Sequence, residues 1–217
     1  MVNWSAIDTV LLDMDGTLLD LRFDNYFWLE YLPLRYADHH GVSLEAATIR
    51  LKALSESLHG TLNWYCLDYW SAEIGMDVEA LKLEVQDRVQ FRPGAEAFLS
   101  SLHEHGKRCI LVTNAHPKAL ELKLVASGLG AWLHERYSTH PFGLAKENAG
   151  FWGKLQQYAN LDYGRCLFID DSLNVLRQAA ADGLPHLLQV LQPDTTQPVR
   201  PASEFTGIVH FSEIMPA

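Results

Sequence analysis

The 217-residue sequence predicts an α/β fold: a doubly wound, Rossmann-like parallel sheet with an inserted helical cap domain. Three observations lead there. Short apolar runs end in polar residues three times over: Thr9-Val-Leu-Leu at Asp13, Cys109-Ile-Leu-Val at Thr113-Asn114, and Cys166-Leu-Phe-Ile at Asp170-Asp171. Such runs suit strands buried on both faces of a parallel sheet. Helical patterns alternate with them, which implies right-handed crossovers. Residues 21–90, by contrast, keep helical spacing throughout and show no strand signal.

Taken in order, the first strand is followed at once by the insertion. One stripe there is Leu44, Ala47, Leu51, Leu54 and Leu58, and another is Leu81, Val85 and Val89. The expected division is therefore a core domain of residues 1–20 and 91–217 and a cap of residues 21–90. A helix opens near Pro93, carries Phe98, Leu99 and Leu102, and stops at Gly106. The next opens at Pro117, carries Leu120, Leu124 and Val125, and stops at Gly128. A third strand is expected around Tyr137-Ser-Thr. A further helix carries Leu173, Leu176 and Ala180 and stops at Gly183. His186 to Leu191 reads as a fifth strand, Pro193 to Pro201 as a loop, and Ile208 to Phe211 as a weaker edge strand.

Composition narrows the function. With 48% hydrophobic and 20% charged residues the chain is globular rather than disordered. Acidic residues outnumber basic ones 27 to 17, a formal charge of −10, and no Lys/Arg run occurs. Such a surface repels phosphate polymers, so nucleic acid is excluded as a partner, while small anions remain possible where the fold concentrates donors. The three cysteines, Cys66, Cys109 and Cys166, form no C-x-x-C unit and lie near no histidine at zinc-ligand spacing. They read as buried thiols in a reducing compartment. No apolar stretch reaches the roughly 18 residues of a membrane span. The expectation is a cytoplasmic protein with no membrane partner, a monomer or small homo-oligomer.

In an open parallel sheet, ligands bind beyond the carboxyl ends of the strands, so the polar strand ends should share one crevice. That brings together Asp13, Asp15, Asp170 and Asp171. Four like charges repel, and a hard cation such as Mg²⁺ relieves them while suiting phosphate oxygens. Thr113 and Asn114 add neutral donors and Lys146 a cation. The set describes phosphoryl transfer to an aspartate: Asp13 attacks phosphorus, and Asp15 protonates the leaving oxygen and later deprotonates water.

Asp13-Met-Asp15-Gly16-Thr17, Thr113-Asn114, Lys146 and Asp170-Asp171-Ser172 together resemble the four ordered motifs of the haloacid dehalogenase superfamily. The resemblance implies an α/β core with a cap inserted after the first motif. It implies Asp13 as nucleophile, Asp15 as general acid/base, and Thr113 and Lys146 as phosphoryl-holding groups. It further implies a Mg²⁺ site of Asp13, the Asp15 carbonyl and the Asp170/Asp171 pair, with Asp171 direct and Asp170 through water. One departure is that Ala145 and Glu147, rather than proline, flank the lysine.

Four longer segments, 23–28, 61–70, 113–117 and 138–143, are similar to bacterial nucleotidases of that superfamily acting on GMP and IMP. This implies a Mg²⁺-dependent 5′-nucleotidase for purine mononucleotides. GMP and IMP present an acceptor at position six and a donor N–H at position one. Asp24 or Asp68 could accept from the base, Arg22, Asn25 or Asn63 could donate to it, and Trp64 or Tyr65 could stack on it. The aromatic set Trp64, Tyr65, Tyr69 and Trp70 also suits cap core packing. Two other functions stay open: a phosphatase or phosphomutase of small sugar phosphates, and a receiver-like switch phosphorylated on aspartate. His116 reads as a surface histidine opening a helix, and His39-His40 and His103-x-His105 are assigned nothing.

Overall fold

The computed structural model describes residues 2–216. Six strands form one parallel sheet: β1 (Thr9–Leu12), β2 (Arg108–Thr113), β3 (Glu135–Ser138), β4 (Cys166–Asp170), β5 (His186–Val190) and β6 (Thr206–Ile208), in the order β3-β2-β1-β4-β5-β6. Leu12 pairs with Leu111 on one side and Ile169 on the other. That register brings Asp13 level with Asp170, with Thr113 one residue further along β2, so the chemistry-bearing residues line one edge.

Each central strand buries both faces. Val10, Leu12, Leu111 and Ile169 belong to a cluster with Phe98, Leu99, Leu102 and Leu120, whereas Leu11, Ile110, Val112 and Phe168 pack with Phe151, Trp152, Leu155, Val175 and Leu176. This period-two division between helical layers is what makes the strands read as continuous apolar runs.

Between β1 and β2 lie α1 (Arg22–Tyr26), a π-helical turn (Phe27–Tyr31), α2 (Leu32–His40), α3 (Leu44–Leu58), α4 (Leu67–Ile74), α5 (Val78–Leu83) and α6 (Ala95–Glu104). Ser43 and Asp77 cap α3 and α5 by accepting from the Ala46 and Ala80 backbone N–H groups. Entry and exit of the helical segment are tied together: Leu19 pairs antiparallel with Phe91, Asp20 N–H donates to the Gln90 carbonyl at 2.9 Å, and Arg92 N–H donates to the Leu18 carbonyl at 2.9 Å. The remaining helices are α7 (Pro117–Ser127), α8 (Phe151–Ala159) and α9 (Leu173–Ala181). The helical segment rests on α7 through α5.

Several local expectations are corrected. The edge strand is Thr206–Ile208, and Phe211 opens a 3₁₀ turn, because Val209 and His210 N–H groups turn to the Glu213 carboxylate instead of a ladder. Val125 is 72% exposed, since α7 buries Lys123 and Leu124 instead. Leu44 is exposed at the start of α3, and Val85 and Val89 are buried outside any helix of the α type. Cys66 is half-buried at the start of α4, unlike the buried Cys109 and Cys166. Among the described residues no helix is long and apolar enough to cross a membrane.

Candidate active site

Beyond the ends of β1, β2 and β4 opens a cavity of about 980 Å³, walled on one side by the strand ends and on the other by the helical segment. Asp13, Asp15, Thr113, Asn114, Lys146, Asp170 and Asp171 all line it. The tight turn after β1 depends on Gly16. Its φ is +83°, and a Cβ there would lie 2.8 Å from Pro193 Cβ and 3.0 Å from Asp171 Cγ. Only glycine brings this backbone so close to the Asp171 carboxylate.

Lys146 anchors the centre. Its Nζ donates to Asp13 Oδ1 at 2.5 Å, to Asp170 Oδ2 at 2.7 Å and to the Val112 carbonyl at 3.1 Å. Burial works to lower its pKa, but the two carboxylates outweigh it and hold the ammonium charged. Asp13, Asp170 and Asp171 bring carboxylate oxygens within 4.8 Å of one another. Burial pushes each up to about 6, with Lys146 opposing at Asp13 and Asp170. The second Asp170 oxygen accepts from the Ser172 N–H at 2.8 Å, so protein donors hold both of its oxygens. On Asp171, Arg200 reaches Oδ2 at 3.1 Å.

Beside this nest lies a second charged group. Lys123 Nζ donates to Asp15 Oδ1 and Asp24 Oδ2, each at 2.6 Å, and Lys82 Nζ donates to Asp24 Oδ1 at 2.9 Å. Both lysine side chains are 2% exposed. Burial pushes Asp15 up to about 6. At Asp24 the same burial is outweighed by Lys123 and Lys82, which hold its carboxyl well below the usual range. The sequence reading missed both lysines. Their signal was position: Lys123 sits beside Leu124, and Lys82 beside Leu81, on faces that helical spacing turns inward.

Glu147 closes the far wall. It accepts from Asn114 Nδ2 at 2.8 Å and from the Tyr65 hydroxyl at 2.9 Å, linking β2 to the helical segment. The Lys146 backbone N–H donates to Asn114 Oδ1 at 2.9 Å, so Asn114 fixes the lysine loop at both its atoms. Thr113 is buried, its hydroxyl accepting from Ala115 N–H at 3.0 Å.

The residues offered for reading a base separate here. Trp64 lines the cavity half-buried, with Nε1 donating to Ser55 Oγ at 2.9 Å. Trp70 is core, its ring 4.8 Å from that of Trp28. Asn63 is exposed on the 3₁₀ turn Leu62–Tyr65 and does not line the cavity. Asp24 does line it, but any base donor would compete with two ammonium groups for its oxygens. Asn25 donates to Asp194 at 2.7 Å, and Asp68 is paired with Lys118 at 2.9 Å.

Comparison with known proteins agrees with this architecture. The GMP/IMP nucleotidase YrfG of Escherichia coli (strain K12) is 44% identical over 194 residues, covering 89% of this chain and 87% of the relative. The nucleotidase of the same name from Shigella flexneri matches at the same 44% and the same coverage. Among solved structures, a HAD phosphatase from Thermococcus onnurineus superposes with a TM-score of 0.80 at 18% identity, over 96% of both chains. A putative beta-phosphoglucomutase from Thermotoga maritima gives 0.69 at 16% identity over 96% and 97%. The model of the haloacid dehalogenase-like hydrolases matches residues 7–182, a span that holds all four motifs, and the chain belongs to that family.

Proposed function

We propose that this phosphoric monoester hydrolase is a Mg²⁺-dependent 5′-nucleotidase that cleaves GMP and IMP through a phosphorylated Asp13. The observation carrying the reading is the meeting of Asp13, Lys146, Asp170 and Asp171 at the floor of a cavity wide enough for a nucleotide. The 44% identity to a GMP/IMP nucleotidase supports the choice of substrate.

The donor set fits a hard cation. It is all oxygen, and its three carboxylates are crowded enough that burial lifts each toward protonation. Asp13, Asp171 and the Asp15 carbonyl would hold Mg²⁺ directly, and Asp170, whose oxygens Lys146 and Ser172 already engage, would hold it through water. When bound, the ion supplies positive charge against the carboxylates and the phosphoryl oxygens.

The chain's own groups carry the steps. An Asp13 carboxylate oxygen attacks phosphorus as the nucleoside 5′-oxygen departs, taking the proton of Asp15. With its pKa near 6, Asp15 is matched to giving and regaining a proton close to neutrality. Asp15 then takes a proton from water, whose oxygen attacks the phosphorus of the aspartyl-phosphate and frees Asp13 and inorganic phosphate. Lys146 and Thr113 hold the phosphoryl oxygens in position. Residues 21–90 act as a cap over the cavity, with the antiparallel bridge between Leu19 and Phe91 as its joint, and Trp64 lies against the purine.

The test is phosphate release across GMP, IMP, AMP and sugar phosphates with Mg²⁺ or EDTA. GMP and IMP turned over at least tenfold faster than AMP, with no activity in EDTA, is the expected result. Equal turnover of AMP would refute the purine reading, and activity persisting in EDTA would refute the metal assignment.

A further inference from the structure

A second group of side chains able to hold a metal lies apart from the carboxylate nest, and one of its members, His116, also lines the cavity. Cys66, half-buried, precedes α4 on the helical segment. His116 precedes α7, and His140 opens the 3₁₀ turn that follows β3, so both belong to the sheet body. One ligand atom from each of the three lies within 4.8 Å of the others. Ligands of a tetrahedral zinc ion, at roughly 2.0–2.3 Å from the metal, stand roughly 3.3–3.8 Å apart. Small side-chain rotations therefore close the set.

The arrangement contains an unmet need. His140 Nε2 is buried and has no hydrogen-bond partner among the described residues. Buried polar atoms are almost always paired, so an orphaned imidazole nitrogen on a residue clustered with a thiol and a second imidazole points to a ligand that all three share. The two histidine rings stand edge to face at 4.9 Å, and His116 Nδ1 accepts from the Lys118 backbone N–H at 3.4 Å, which leaves its Nε2 for a ligand. The carboxylate of Asp68 lies 3.6 Å from His116 Nε2 and adds negative charge, shared with Lys118.

A comparison within the molecule isolates the feature. His103, Cys109 and His134 also come within 4.8 Å of one another. There, however, His134 Nδ1 already accepts from the Cys109 backbone N–H at 3.0 Å, and His103 Nε2 bonds the Trp132 carbonyl at 2.7 Å.

We propose that Cys66, His116 and His140 form a binding site for a borderline-soft divalent cation of the Zn²⁺ class, which ties the helical segment to the sheet body. One thiolate and two neutral imidazoles suit Zn²⁺ and disfavour Mg²⁺, so the two sites sort cations by softness. Binding takes the Cys66 thiol as thiolate, and its proton leaves to solvent. The fourth position is open to water. Because the ligands come from both bodies, occupancy resists their separation.

The test uses the whole protein in excess Mg²⁺, which occupies the carboxylate nest, and titrates Co²⁺ and Zn²⁺. Co²⁺ should give a sulfur-to-metal charge-transfer band that survives Cys109→Ala and disappears in Cys66→Ala. Zn²⁺ should raise Tm in the wild type, and Cys66→Ala and His140→Gln should each weaken its binding at least tenfold. The band and the melting shift do not depend on which phosphate ester is hydrolysed. Absence of a thiolate band, or a band that persists in Cys66→Ala and vanishes in Cys109→Ala, would overturn the proposal. So would unchanged Zn²⁺ affinity in His140→Gln.

Discussion

At the strand ends, Asp13 and Asp170 share the ammonium of Lys146 and Asp171 meets Arg200 at the edge, whereas two residues further along the first loop Asp15 meets Lys123, and Asp24 meets both Lys123 and Lys82. The residue types are the same and the charge balance is not. In the first group burial prevails and the carboxyls rise to about 6, even with Arg200 at the edge. In the second, Asp24 is driven well below its ordinary range by its two lysines, while Asp15, which meets only Lys123, is still pushed by burial up to about 6. An excess of buried negative charge suits a cation, whereas a charge-balanced group holds the elements it bridges together. Asp15 touches both, with one oxygen on Lys123 and its own carboxyl raised by the charges of Asp24 and Asp13, which ties the turn after β1 to the helical segment.

Breaking the first group should cost the most. Asp13→Asn is expected to abolish phosphate release while far-UV circular dichroism stays unchanged, because an amide cannot attack phosphorus. Asp15→Asn should lower turnover of nucleoside monophosphates by about 10²–10⁴. Its loss with aryl phosphates should be smaller, since their leaving oxygen needs less protonation, and equal losses on both would remove Asp15 from the acid role.

Breaking the second group should act on stability first. Lys123→Ala leaves Asp15 and Asp24 with one ammonium between them, and denaturant unfolding should show a loss of about 3–5 kcal/mol. A change below about 1 kcal/mol, the scale of an exposed pair, would mean that this second group does not hold the elements together.

The pH response sharpens the contrast. Carboxyls whose folded pKa is raised to about 6 from 3.8 contribute stability that is present below the unfolded value and lost as pH rises through 6. Asp24 has the opposite sign, and its contribution is lost as pH falls below about 3.8. Protein stripped with EDTA should therefore melt higher at pH 5 than at pH 7, and saturating Mg²⁺ should flatten that slope. A metal-free Tm that falls from pH 7 to pH 5 would contradict the carboxylate crowding. The smallest effect is expected at the cavity wall, where Trp64→Ala should raise KM for GMP several-fold with little change in kcat.

What the sequence made legible follows the same division. The strand ends were readable because an apolar run that stops on aspartate marks the carboxyl end of a buried parallel strand, and the register then brings Asp13 and Asp170 level. The second charged group is legible only through the inward positions of Lys123 and Lys82, because lysine usually faces water and their partners lie in α1 and the first loop. Asn63 and Asp24 carry the donor and acceptor chemistry that a purine base needs. Only the folded chain shows one exposed and the other held by two lysines. Cys66, His116 and His140 escaped for a third reason: ligand spacing rules apply to neighbours in sequence, and these three meet only because the helical segment closes on the sheet.

The central claim, that Asp13 carries the phosphoryl group, is tested most directly by quenching the enzyme during GMP turnover and reducing the acyl phosphate with borohydride. The account predicts homoserine at position 13 in the peptide mass spectrum, dependent on substrate and absent in Asp13→Asn. Phosphate release from GMP at full rate with residue 13 recovered unmodified would contradict it.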